Sequence, residues 1–191
     1  MFNDASTPLA LLATRRSGKP RDLTLPGPDA GQLATILEIA ARTPDHGKLA
    51  PWRFIIVPED RRDALAEVIV QAYRAERPQA ARLEIESLEQ FAHQAPALVV
   101  VMFSPKTHSH IPVWEQKLSA GAACMNLLHA VHASGFAGGW LTGWASFSDA
   151  VRDAFGAAPE RIAGFMFIGT PGRPLEERPR PDMAKIVSIW A

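Results

Sequence analysis

Three short segments hold the residues best suited to chemistry. Thr14-Arg15-Arg16-Ser17 sets two permanently charged guanidinium groups beside hydroxyls, where a helix gives way to a loop. That combination offers a planar fork, a second charge and a neutral donor to one phosphate or carboxylate. Read alone, the same residues describe a solvated basic turn better than an anion site, because short Arg pairs are common. Arg42-Thr43-Pro44-Asp45-His46 runs shortly into Pro51-Trp52-Arg53-Phe54 and delivers cation, imidazole and large ring to the mouth of a strand, a region where ligands tend to sit. Plain core packing for Trp52 and an ordinary hydrogen-bonding loop role for His46 satisfy the same pattern. In Gly138-Gly139-Trp140-Leu141-Thr142-Gly143-Trp144, glycines flank apolar residues at a strand end. A planar ligand could lie close against that backbone, and a bulge or tight bend would use the same glycines.

Other chemistries lack their residues. There is no G-x-x-x-x-G-K-[ST] phosphate loop, no G-x-G-x-x-G fingerprint and no G-x-S-x-G elbow. His108 and His110, and His129 and His132, are paired in sequence, but no Asp, Glu or Cys stands near either pair at zinc-ligand spacing, so no metal is expected. Lys plus Arg is 20 and Asp plus Glu is 20, which leaves no global field to draw the chain onto nucleic acid or anionic lipid. The lone Cys124 excludes an internal disulfide and suits a reducing compartment, so the cytoplasm is expected. The longest apolar run, residues 95–103, is about half of what a membrane-spanning helix needs.

The elements that must position these residues are set by periodicity and punctuation. At 191 residues and 47% hydrophobic content the chain suits one domain, 1–191, burying about 70% of its unfolded surface. Helices are predicted over residues 7–15, 29–41, 59–77, 79–93, 112–134 and 148–155, and strands over 54–57, 97–103, 137–142 and 162–168. The long helix from Pro112 is built in its middle from small residues, Ser119 to Cys124, which another backbone or a flat ligand could approach. Residues 173–182 carry three prolines and cannot be regular structure. Residues 186–190 turn apolar again, which suggests docking on something, such as a second subunit.

Five segments in this order resemble the flavin-dependent nitroreductase family, especially its short bacterial members, over nearly the whole chain. They are Leu11 to Ser17; Ala41 to His46 with Pro51-Trp52-Arg53-Phe54; Val113-Trp114-Glu115-Gln116 with Ser119-Ala120-Gly121; Gly135 to Trp140; and Gly164 to Gly169 with Thr170-Pro171. The resemblance implies an α+β fold, a central mixed sheet of four or five strands surrounded by helices, and a homodimer with FMN at the subunit interface. It assigns Arg15, Arg16 and Ser17 to the FMN phosphate and ribityl end, and Lys19 to the N1 and O2 edge, where a cation favours the reduced ring. Arg42 and His46 match positions reaching the partner subunit's flavin, Trp140, Leu141 and Thr142 match the segment against the ring, and Arg173 matches a further phosphate ligand.

The implied activity is hydride transfer from NADH or NADPH to a small oxidised acceptor such as a nitroaromatic or quinone, in ping-pong fashion, with no protein acid required. A flavin-storing or flavin-sensing protein is the alternative. One departure stands out: many relatives have glutamine before the Pro-Trp pair, where this chain has Ala50.

Overall fold

The computed structural model describes residues 1–190. Helix α1 (Pro8–Thr14) starts at Thr7, whose hydroxyl accepts from the Ala10 N–H at 3.0 Å. Strand β1 (Leu23–Thr24) is short, and helix α2 (Ala30–Ala41) opens with a reciprocal capping box between Asp29 and Gln32. Strand β2 (Trp52–Val57) leads through a tight turn into helix α3 (Arg62–Glu76), followed by α4 (Arg82–Phe91) and strand β3 (Ala97–Phe103). Helix α5 (Val113–Ala133), strand β4 (Ala137–Leu141), helix α6 (Asp149–Asp153), strand β5 (Arg161–Pro171) and helix α7 (Met183–Ile186) complete the order.

Among the described residues the fold is α+β with five strands, and every strand pairing is antiparallel, where a mixed sheet was expected. β2 pairs with β3, β3 with β5, and β5 also takes β4 and β1. The reason for the difference lies in burial. Leu98, Val100 and Met102 pack with α3 and α4, while Val99 and Val101 pack with α2 and α5. Both faces of β3 are therefore covered, and its continuous apolar sequence is the kind a parallel strand also shows, so strand direction leaves no trace in it.

β5 extends past the predicted end at Ile168, because Thr170 and Pro171 pair with Thr24 and Leu23. The two-residue β1 has no alternation to reveal it. Arg53, one of the cations at the strand mouth, is committed to Glu160 through two hydrogen bonds of 2.8 Å and holds that carboxyl down to about 2. It ties β2 to the turn before β5.

The segment after α1 approaches β4 closely, and this approach fixes where the residues beyond Arg15 lie. Gly18 N–H donates to the Gly138 carbonyl at 3.2 Å, and a Cβ on Gly139 would stand 2.7 Å from the Gly18 oxygen. Gly139→Ala should force the two apart and lower stability by about 2 kcal/mol, read as a lower denaturant midpoint at unchanged m-value.

Candidate functional site

α1 ends at Thr14, one residue before the predicted Arg15, because the amino-terminal residues fold around its last turn. Asn3 N–H donates to the Thr14 carbonyl at 3.2 Å, Asp4 N–H to Thr14 Oγ1 at 3.0 Å, and Arg16 N–H to Asn3 Oδ1 at 2.8 Å. Asn3 adopts a left-handed conformation, φ 54°, which asparagine tolerates better than most residues. The chain then runs extended from Arg15 to Lys19 and lies on β4.

Arg16 is buried, at 8% exposure. Its guanidinium stands 4.8 Å from the Phe2 ring centroid, donates through Nη1 to the Arg15 carbonyl at 2.8 Å, and through Nη2 to Glu177. Its Nε has no hydrogen-bond partner among the described residues. Arg15 remains half-buried and donates to Ser17 Oγ at 3.3 Å. Lys19 Nζ pairs with Glu176 at 2.8 Å, and Arg173 Nε stands 3.7 Å from Asp22. Ser17, Lys19, Arg173, Glu176 and Glu177 line one cleft of about 350 Å³. That volume lies within the usual range for small-molecule sites.

Arg15 also faces α5. Its charge, added to burial as the larger cause, pushes His129 and His132 below the ordinary histidine range, His132 to about 4. Both ring nitrogens of the buried His132 lack partners among the described residues. Arg42 lines a second cleft with Pro44, Asn126 and His129, and Asn126 closes the end of α2 by donating to the Ile39 carbonyl at 2.7 Å.

His46 lies elsewhere. It sits in a short turn whose residues Leu49 and Ala50 both donate backbone N–H groups to Asp45 Oδ2, at 2.5 and 3.1 Å. His46 Nδ1 donates to Glu115 Oε2 at 2.8 Å, on the first turn of α5, close to the exposed Trp114 and Leu118. Ala50 stands at φ 44°, a conformation uncommon outside glycine, so its departure from glutamine is accompanied by local backbone strain.

At the end of β4, Trp140 is 37% exposed, and its Nε1 donates to the Ala163 carbonyl at 3.0 Å. Gly164 permits that bond, since a Cβ there would fall 2.0 Å from the indole nitrogen. Leu141 is half-buried and Thr142 exposed. The structure thus gathers Arg15, Arg16, Ser17, Lys19 and Arg173 in one region, with Trp140 following Gly139 on the adjoining strand. Arg42 sits with His129, and His46 stands apart at the other end of α5.

The family model of the nitroreductase family matches residues 12–170 of this chain. The chain belongs to the nitroreductase family. A Haemophilus influenzae protein provisionally named an NAD(P)H nitroreductase is 39% identical over 164 residues, 85% of this chain and 87% of that protein. Among solved structures, a nitroreductase-like family protein from Bacillus cereus superposes with TM-score 0.80 at 20% identity, covering 96% of each chain. The FMN and NADPH-dependent nitroreductase of Sphigopyxis sp. strain HMH gives 0.72 at 19% identity, covering 94% of this chain and 97% of its own. Family membership makes this chain a nitroreductase-type oxidoreductase in class. Among the described residues no group of three or more His, Cys, Asp or Glu is placed to hold a metal, and no helix is long and apolar enough to cross a membrane.

Sequence reading missed Phe2, Asn3, Asp22, Glu176 and Glu177. Phe2 and Asn3 act across ten or more positions and match no local motif. The adjacent acids inside an Arg- and Pro-rich tail were a usable signal, because opposite charge there has the basic segment near the start as a partner.

The state of His132 has a measurable consequence. Its folded pKa of about 4 lies below the ordinary 6.5, so the unfolded chain binds the extra proton more readily and stability falls as pH drops from about 6.5 to 4. His132→Leu should cost little at pH 7.5 and remove about 3 kcal/mol of that fall, seen as a flatter pH profile in chemical denaturation.

Proposed function

We propose that this chain is a homodimeric FMN enzyme that passes hydride from NADH or NADPH to a small oxidised acceptor such as a nitroaromatic or quinone. The observation that carries the reading is that Ser17, Lys19 and Arg173 line one cleft, with Arg15 bonded to Ser17 and Arg16 to Glu177 at its edge. Arg16 Nε is buried beside that cleft without a partner among the described residues, and the cleft itself, lined by Ser17, Lys19 and Arg173, has room for a phosphate and its ribityl chain. These residues fit the group.

In this reading Arg15, Arg16 and Ser17 bind the phosphate by charge-assisted hydrogen bonds, and Arg173 adds a further charge. Lys19 presents its ammonium toward the pyrimidine edge of the ring. Trp140, Leu141 and Thr142 form the surface on which the ring rests, with the indole held in place by Ala163. Bound there, FMN would supply the redox chemistry, hydride transfer between nicotinamide and acceptor in ping-pong turnover. Water can deliver protons in so open a site, and no side chain is required as an acid. The partner's His46 and the partner's Arg42 complete the site, His46 orienting its ring through Glu115. The exposed Trp114, Leu118, Ile189 and Trp190 supply apolar surface for subunit contact.

Purified protein should be yellow, bleach under NADH or NADPH without air, and recover its colour on adding a quinone. Colour that resists both reductants would identify a flavin-storing or flavin-sensing protein instead. Arg15→Ala should weaken FMN binding about ten- to a hundredfold, from the loss of about 1.5–3 kcal/mol of charge-assisted contact. Undiminished retention of FMN on dialysis would remove the phosphate assignment.

A further inference from the structure

We propose that the carboxyl-terminal strap, residues 173–182, carries a built-in phosphate mimic: Glu177 holds the cationic seat of Arg16 until a phosphate monoester displaces it, while Glu176 tethers the strap to Lys19. This rests on the assignment of that seat to the FMN phosphate and adds a control on its loading.

Several observations point the same way. Glu177 pairs with Arg16 and stands 3.6 Å from Arg180, while Glu176 lies 2.8 Å from Lys19. Both carboxyls are held below the usual carboxylate range, Glu176 by Lys19 and Glu177 chiefly by Arg16. They are therefore anions throughout the neutral range. The guanidinium groups of Arg16 and Arg180 both act on Arg15 and, with burial as the larger cause, lower its proton affinity. Three neighbouring cations of this kind need an anion among them, and a carboxylate supplies in the flavin-free chain what a phosphate supplies in the loaded one.

The strap is also easy to lift. Prolines at 174, 179 and 181 deny it regular structure, and among the described residues no backbone hydrogen bond ties residues 173–181 to the rest of the molecule. Its attachment is by ion pairs whose carboxyl side chains are 74% and 56% exposed, and exposed pairs are individually weak. A dianion on the same guanidinium groups outcompetes them. Glu176 and Glu177 themselves line the cleft, so displacement also widens the entrance.

The test uses the full chain stripped of flavin, titrated with FMN and with riboflavin, which lacks the phosphate, by quenching of flavin fluorescence. The variant Glu177→Gln should bind FMN about fivefold more tightly, with riboflavin affinity unchanged. In the wild-type chain, FMN but not riboflavin should hasten cleavage by a glutamate-specific protease after Glu176 and Glu177. Unaltered or weaker FMN binding by the Glu177→Gln variant, with Arg15→Ala still impaired, would overturn the strap and leave the phosphate assignment standing. An equal gain for riboflavin would also overturn it, showing steric opening rather than mimicry. If Arg15→Ala does not affect FMN, the phosphate assignment and the strap fall together.

Discussion

A buried guanidinium cannot lose its charge, so whatever surrounds Arg16 has to answer it. The protein does so in layers: the Phe2 ring lies against the guanidinium, the Arg15 carbonyl accepts one donor, and Glu177 accepts another. Each of these partners comes from a different stretch of chain, and each stretch is thereby fixed. The first residues hook around α1 because Asn3 holds the Arg16 backbone, and the tail returns across some 160 residues to reach the same side chain. Removing the charge would release both ends of the molecule, whereas removing one partner would leave a buried cation insufficiently compensated.

The sheet supplies the rigid side of this arrangement. β5 contacts three other strands, and its Phe165 and Phe167 face α3 and α4 while Met166 and Ile168 face α2 and α5. A strand locked from both faces cannot shift its register without exchanging two sets of core residues. β4 is aligned against it, and the segment carrying Arg15 to Lys19 is aligned against β4 through Gly18 and Gly138. The positions of the charged groups are inherited from apolar packing several residues away.

That chain of dependence explains which features could be read in advance. Helices α2, α3 and α5 and strands β3 and β4 were legible because periodicity, caps and prolines are local signals, and they differ from expectation by a few residues at their ends. The grouping of Arg15, Arg16, Ser17, Lys19 and Arg173 was legible through resemblance to a family. The sequence held no sign of strand direction, since a strand buried on both faces shows the same residues either way. Nor did it mark β1, too short for a pattern, or the pairing of Arg16 with Glu177, which depends on where the tail lands after the fold is complete. His46, expected to reach the partner subunit's flavin, lies far from Arg15 within one chain.

The length of α5 makes sense of that last distance. Glu115, which holds His46, and His132, which faces Arg15, are 17 positions apart on the same helix, or about 25 Å at 1.5 Å per residue. No mononucleotide spans that gap, so His46 and Arg15 of a single chain cannot share one ligand. A two-fold axis reverses direction: if two copies of α5 lie antiparallel, the first turn of one falls beside the last turn of the other. The partner's His46 would then stand near the Arg15 end, and the symmetric exchange would build a second identical site. The face that such packing needs is present on α5, where Gly121 offers an open surface with no atom within 4 Å of a Cβ placed there and Trp114 and Leu118 remain exposed. In the proposed dimer the separation along one helix is the condition for completing two sites across a pair.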